Sequence, residues 1–352
     1  MVAEHGLPET LILNGEQRIR KIAEQFGMDY LGVTVSRDTT LQMTPRGDLE
    51  TVWGTDRVPD EAVVFVTEMP RLYSLPVGAG RDRSSRERVV IAELDRERGA
   101  AVISLPALGP SPRRRLGNFI ATVVSALNDS STEPFERTRG LLVVRDGDTE
   151  YVLATSNFGR IRLTAGMVRG NRPWRLIPTL TGMTAAAAAA ASFGIFFSTI
   201  WSMANALSPW RLAAISILSM ILASLWLIVN NRLWQRTADT PRQRARLYNT
   251  ATVCTVAFSA VVLYAGLFIA TLIAAMTVID ETFLSSQLGF QAGLNNYLQL
   301  AWLATSMGIF AGALGSSADS HDDVLRATYG YRERLRRRAS ESATRGEMSE
   351  SR

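Results

Sequence analysis

Cysteine, histidine and lysine are nearly absent from this 352-residue chain, and each scarcity removes a class of chemistry. Cys254 stands alone, so no intramolecular disulfide forms and a zinc site built on cysteine is excluded. The only histidines are His5 and His321, and the run His321-Asp322-Asp323 reads as a solvated segment directly after an apolar tract. No metal site is therefore expected. Val77-Gly78-Ala79-Gly80 lacks the later glycine and the Lys with Ser or Thr of a phosphate loop. No Gly-x-Ser-x-Gly nucleophile elbow occurs, and nothing calls for a cofactor.

Charge is missing where it matters most. No Asp, Glu, Lys or Arg occurs over 35 residues between Arg175 and Arg211, 20 between Arg211 and Arg232, 33 between Arg246 and Asp280, and 37 between Glu281 and Asp319. A bilayer core takes about 20 helical residues to cross. These tracts predict four transmembrane helices at 179–200, 211–230, 250–274 and 298–317. Residues 1–170 carry a net −1 and the remainder +6, so the basic surplus belongs to the apolar half. A pI near 9.7 then reflects arginine at membrane flanks, and no nucleic-acid partner is expected.

The placement of arginine gives an orientation, because positive segments resist translocation. Arg160, Arg162, Arg169, Arg172 and Arg175 precede the first tract. Arg232, Arg236, Arg242, Arg244 and Arg246 lie between the second and third, and a further cluster from Arg326 to Arg338 follows the fourth. The connection from Asp280 to Gln299 has no Arg or Lys. Both termini are thus expected in the cytoplasm of a cell-membrane protein. Arg172, Trp174, Arg175 and Trp234 are placed at inner edges of the bilayer, and Trp201, Trp210 and Tyr297 at outer ones.

The first tract is built on a seven-alanine run, and small side chains let helix backbones approach closely in lipid. Gly182, Ala186, Ala190, Gly194 and Ser198 recur every fourth residue. Ala304, Gly308, Gly312 and Ser316 repeat the pattern in the fourth tract, and Gly266, Ala270 and Ala274 in the third. These stripes are expected to face other helices, within the chain or in a homo-oligomer. A GC-rich genome, which also favours arginine over the single Lys21, is the competing explanation.

The tracts hold no ionisable group of the kind that marks ion paths and proton relays. Thr252, Thr255, Ser259, Tyr264 and Thr271 either line a polar path or bond back to their own helix. Asp280 and Glu281 read as a solvated boundary, followed by "TFLSSQLGF" along the outer leaflet.

Residues 1–155 read as a separate cytoplasmic α/β domain. The start "MVAEHGLPET" has no signal-peptide pattern. Ile19, Ile22, Ala23 and Phe26 share a helical face over 16–26. β-type runs follow at "YLGVTV", "AVVFVT", "RVVIAEL" and "AAVISL". Ser111-Pro112 signals a helix reaching 127, and "LLVVRDGDTEYVLA" a hairpin turning at Asp146-Gly147. Residues 156–178 are expected as an amphipathic pre-membrane helix, with Ile161, Ala165 and Val168 on one side and each arginine adding roughly 1 kcal/mol of attraction to anionic lipid. Residues 319–352 form a basic tail expected to be disordered.

Ligands in open α/β sheets bind beyond the carboxyl ends of strands. Glu68 and Arg71, after "VVFVT", are the candidate ligand residues, beside "SLPALGP" if the two strands neighbour each other. The rival reading of "TEMPR" is a structural proline turn.

The segments "TAGMVRGNRPWRL", "LYNTATVCTVAFSAVVLYAGLFIATLIAA", "NNYLQLAWLATSMGIFAGALGSS" and "VLRATYGYR" together resemble an uncharacterised family of actinobacterial integral membrane proteins. The likeness covers residues 160–332, and "TEMPR" and "SLPALG" more loosely. It implies a cell-envelope protein with no assigned activity, and places "VAEHGLPE" at the end of a first strand leading into a helix. Members are sometimes labelled methylenetetrahydrofolate dehydrogenase. That activity needs a Tyr-x-x-x-Lys lysine, and Gln17 occupies the position four before Lys21. Two classes remain: a non-enzymatic membrane component whose α/β domain binds a cytoplasmic protein partner or a small ligand, and a membrane-tethered enzyme or small transporter acting on an apolar or lipid substrate.

Overall fold

The computed structural model describes residues 1–4, 6–25, 27, 29–36, 41–43, 49–51, 62–74, 87–128, 135, 138, 140–147, 149–155, 158–173, 180–235 and 242–315. The chain divides between Gly170 and Asn171 into two compact units, one built on a sheet and one all helical.

The first unit runs β1 (Val2–Glu4), α1 (Leu7–Gln25), β2 (Thr34–Ser36), β3 (Leu41–Met43), β4 (Leu49–Thr51), β5 (Val63–Thr67), β6 (Arg71–Ser74), β7 (Glu87–Asp95), β8 (Ala100–Ser104), a 3-10 turn at Leu105–Leu108, α2 (Pro112–Asn128), β9 (Leu141–Asp146), β10 (Thr149–Ala154) and α3 (Phe158–Gly170). An eight-stranded sheet has the order β2-β1-β5-β8-β7-β10-β9, with β6 also paired to β7, while β3 and β4 pair separately. The β2-β1-β5-β8 part is parallel and the remainder antiparallel. Every residue of β8 is buried, as a short unbroken apolar run in the middle of a sheet requires. Gly147 takes φ 61 in the turn between β9 and β10, the left-handed conformation that a tight hairpin asks of it.

Helix α1 begins at Leu7, well before residue 16, where the periodicity first becomes plain. Asn14-Gly15 looks like a breaker in the sequence. Asn14 is exposed, however, and nothing lies within 4 Å of where a Gly15 Cβ would stand, so both are tolerated on an outer face. Leu11, Ile12, Ile19 and Ile22 are buried where α1 meets α2, which contributes Leu116, Ile120 and Val123 to the core. Phe26 lies outside the described residues. Pro112 opens α2 at a position whose N–H has no intrahelical partner in any case.

Within the expected pre-membrane helix at 156–178, α3 covers Phe158–Gly170 and packs in the sheet unit. Gly166 lies against the carbonyl of Pro106 so closely that a Cβ would collide with it, and Leu163 and Met167 are fully buried. The Ile161 face remains open, with Ile161 65% exposed.

The second unit comprises α4 (Thr181–Phe196), α5 (Ser198–Ala206), α6 (Pro209–Asn230), α7 (Arg242–Val278), α8 (Glu281–Leu288) and α9 (Leu294–Gly315). Three helices, α6, α7 and α9, are long and apolar enough to cross a membrane, and a fourth is added only if α4 and α5 count as one span. That pair bends by 87°. The helix expected at 179–200 is broken at Phe197 into α4 and α5. Phe197 is extended (φ −105, ψ 108), and its amide still donates to Phe193 to close α4. Helix α7 is longer than the expected 250–274. Its 37 residues span roughly 56 Å at 1.5 Å per residue, beyond the ~30 Å hydrocarbon layer.

Helix α9 is central and packs on α4, α6 and α7. The helices' outer surfaces expose Ile217, Leu218, Ile221, Phe258 and Ile269, among many other large apolar side chains. An apolar exterior around a close-packed interior is what a bilayer solvent favours.

Candidate functional site

Strands β5 and β8 are neighbours, so the loop after β5 does lie beside the loop after β8. The Ser104 hydroxyl donates to the Met69 carbonyl at 2.8 Å. Glu4, at the end of β1, accepts from the Thr67 hydroxyl at 2.7 Å and from the Glu68 amide at 2.8 Å. Glu68 in turn accepts from the Leu7 amide at 2.9 Å, at the first turn of α1, where a carboxylate is favoured by the helix dipole. Arg71 is buried and forms an ion pair with Glu93 on β7. The structure thus places Glu68 and Arg71 close in sequence but on different internal partners.

Around Arg71 the sheet carries a second polar set. Tyr151 lies opposite Glu93 on β10, and its ring is 4.5 Å from that of Tyr73. The Tyr73 hydroxyl donates to Asp146 at 2.9 Å. Burial, reinforced by the negative charge of Glu93, pushes the Tyr151 phenol up to about 12, and Arg71 opposes part of that rise. Glu150 is buried and accepts from Arg96 at 2.8 Å and Arg145 at 2.7 Å. These are paired structural charges.

The prominent concavity of this unit lies elsewhere, between α2, α3 and the sheet. It is a cleft of about 730 Å³ walled by Ile91, Leu108, Phe119, Phe135, Leu141 and Ala165, with Phe158 and Ile161 exposed beside it and Arg114, Arg115 and Arg162 among its lining. Arg115 donates to the Leu108 carbonyl at 3.0 Å. The stem of Arg162 crosses Gly109, whose φ of 91 and missing side chain admit it. Burial, with Arg115 close by, holds the Arg162 guanidinium below its usual range. Its Nε is buried and makes no hydrogen bond. The sequence reading missed this site. Arg162 was visible only as one of many flanking arginines, and Phe135 stands alone between segments without periodicity.

In the helical unit, a Cβ on Gly312 would press on the Met183 carbonyl and on Ala187, and one on Gly308 on the Ala187 carbonyl and Ala191. Gly194 is buried against Ala304, while Gly182 and Ala186 border Gly315. The buried line of α4 is Met183, Ala187, Ala191 and Gly194, one residue round from the expected stripe, so that Gly182, Ala186 and Ala190 are only half-buried. Gly266 and Ala270 face outward, and nothing lies within 4 Å of a Gly266 Cβ. Of the third stripe only Ala274 packs inside the chain, half-buried against the cluster that holds Ile195 and Trp201, while α7 buries Thr255, Ser259 and Thr271.

Trp201 is buried inside the protein. It is 4% exposed, with Phe283 edge-on at 5.7 Å, and its indole donates to the carbonyls of Gly194 and Ile195. Tyr297 is likewise buried and donates to Ile279. Trp210 and Trp234 are exposed, at 74% and 57%. Arg172 is half-buried in a left-handed turn (φ 49). Trp174 and Arg175 lie outside the described residues, as does the segment 319–352.

Thr255 and Ser259 bond back to Ala251 and Thr255, and they also meet Asn171 and the Pro173 carbonyl. Ser216, Tyr264 and Ser306 bond to one another at 2.9–3.0 Å, and the Trp302 indole donates to Ser216 at 2.6 Å. This closed network ties α6, α7 and α9 together. Asp280 caps α8 through the Thr282 and Phe283 amides, and hydrogen bonds led by that from the Thr282 side chain lower its carboxyl. Among the described residues no group of three or more His, Cys, Asp or Glu stands ready to hold a metal ion.

Comparison with family models, with curated proteins and with solved structures gave no match to this chain.

Proposed function

We propose that this is a multi-pass cell-membrane protein, a non-enzymatic envelope component whose cytoplasmic α/β unit binds a small ligand or a partner while the helical unit anchors it. The observation that carries the reading is the cleft between α2 and α3. Its described lining is mainly apolar side chains and arginines, with the neutral polar Asn118, Thr122 and Thr138, and without a described carboxylate, histidine or cysteine to act on a bound molecule. That composition suits retention rather than turnover. The apolar exterior and the three to four membrane-length helices support the anchoring role. The even number of passes that includes α4 leaves both termini on one side, the arginine-rich one, which is the cytoplasm. Membership of the actinobacterial membrane-protein family suggested by the sequence motifs would accord with this reading and would add no activity.

Purification of the full chain from its native membrane, with identification of what stays bound, tests the proposal. A tightly held small molecule or cytoplasmic protein is expected. Turnover of a bound phosphate ester or lipid by the purified chain would contradict it.

A further inference from the structure

The cleft has two properties that no single simple ligand class satisfies. Its wall of Ile91, Phe119, Phe135 and Leu141 is hydrocarbon, and apolar surface of this kind favours a chain over water. Arg115 and Arg162, by contrast, sit together beside Gly109, close enough to repel each other, and burial adds to the cost of the Arg162 charge. Arg115 spends one donor on Leu108, and Arg162 leaves Nε unsatisfied. A guanidinium has five N–H donors in a fork that matches carboxylate or phosphate oxygens. Among the described lining residues none is acidic, and an anionic ligand group would compensate the two charges.

A free inorganic anion would pair with the arginines and leave the apolar wall wet. A neutral hydrocarbon would fill the wall and leave the cations facing each other. We propose that the cleft binds a single-chain amphiphile, its acidic headgroup (carboxylate or phosphate) held by Arg115 and Arg162 and its acyl tail lying along Phe119 and Phe135. The volume, about 730 Å³, is in the range of small-molecule sites and fits one chain with its headgroup. Phe158 and Ile161, 76% and 65% exposed, give the tail an apolar way in. This inference rests on reading the α/β unit as a ligand-binding module.

The test uses membranes containing the full chain and three diazirine-bearing probes of equal chain length: palmitate, hexadecyl phosphate and hexadecanol. After irradiation, labelled peptides are mapped. The acid probes are expected to label α2 and α3 peptides, the stronger of the two naming the headgroup, with hexadecanol confined to the apolar helices. Arg162→Gln and Arg115→Gln should each reduce α2 and α3 labelling about tenfold, as losing one charge-assisted hydrogen bond implies. Ala165→Phe, which fills the cleft and keeps both arginines, should abolish it, with melting curves confirming that the variants fold. Equal α2 and α3 labelling by hexadecanol, labelling that survives both arginine variants, or no label on these peptides would overturn the proposal. If α6, α7 and α9 take label while the cleft does not, only this inference fails. If those helices take none from any probe, the membrane reading itself fails.

Discussion

The indole nitrogen of Trp201 stands 3.1 Å from the carbonyl oxygen of Gly194, and at the same distance from that of Ile195, where the break at Phe197 interrupts the pairing of α4. In hydrocarbon an unpaired carbonyl costs several kcal/mol, so a broken helix needs such a donor. Trp201→Phe keeps a ring against Phe283 and removes the donor. A stability loss of about 1–3 kcal/mol is expected, read as a lower melting temperature in detergent. An unchanged melt would mean that the break is held by other contacts.

The glycine seam makes a contrast within one protein. Gly312→Val forces a branched side chain against the Met183 carbonyl and Ala187, and should destabilise the helical unit by about 1–3 kcal/mol or more. Gly266→Val meets nothing within 4 Å and should leave the melt of the monomer unchanged. Equal effects would contradict the packing described for α4 and α9.

Arg71 and Glu93 form a pair with little exposure. Removing one partner should cost about 3–5 kcal/mol, whereas the double change to Arg71→Met with Glu93→Leu should recover most of it. Hydrogen exchange of β7 amides in the three variants reports this directly.

The Tyr151 phenol, raised to about 12 against an ordinary 10, links folding to alkaline pH. The folded state holds this proton more tightly than the unfolded one. The contribution is therefore complete below about pH 10 and disappears as pH climbs towards 12. Difference spectra of wild type against Tyr151→Phe should show the missing phenolate appearing near pH 12, and Tyr151→Phe should flatten the alkaline loss of stability. Phenolate formation near pH 10 at this position would contradict the burial described.

How much of this was legible in sequence follows from which signals are local. The strands at 63–67, 87–95, 100–104 and 141–154 announce themselves by apolar runs and by Gly147, and the membrane-length tracts by the absence of charge. The break at Phe197 has no proline to mark it, because its stabilising donor, Trp201, acts through the fold. A one-residue rotation of the α4 seam is beyond a four-residue repeat made almost wholly of alanine. Glu68 and Arg71 stood out by position at a strand end, yet their partners Leu7 and Glu93 come from distant segments. The cleft joins Ile91, Phe119, Phe135 and Arg162, residues with no common period.

Impermeant-maleimide labelling of intact cells tests the central claim, that the helical unit spans the membrane with the α/β unit inside. In a Cys254→Ser background, Gln287→Cys on α8 should react from outside, and Glu97→Cys in the β7–β8 turn only after permeabilisation. Both positions are exposed. Labelling of Glu97→Cys in intact cells, or of Gln287→Cys only after lysis, would contradict the account.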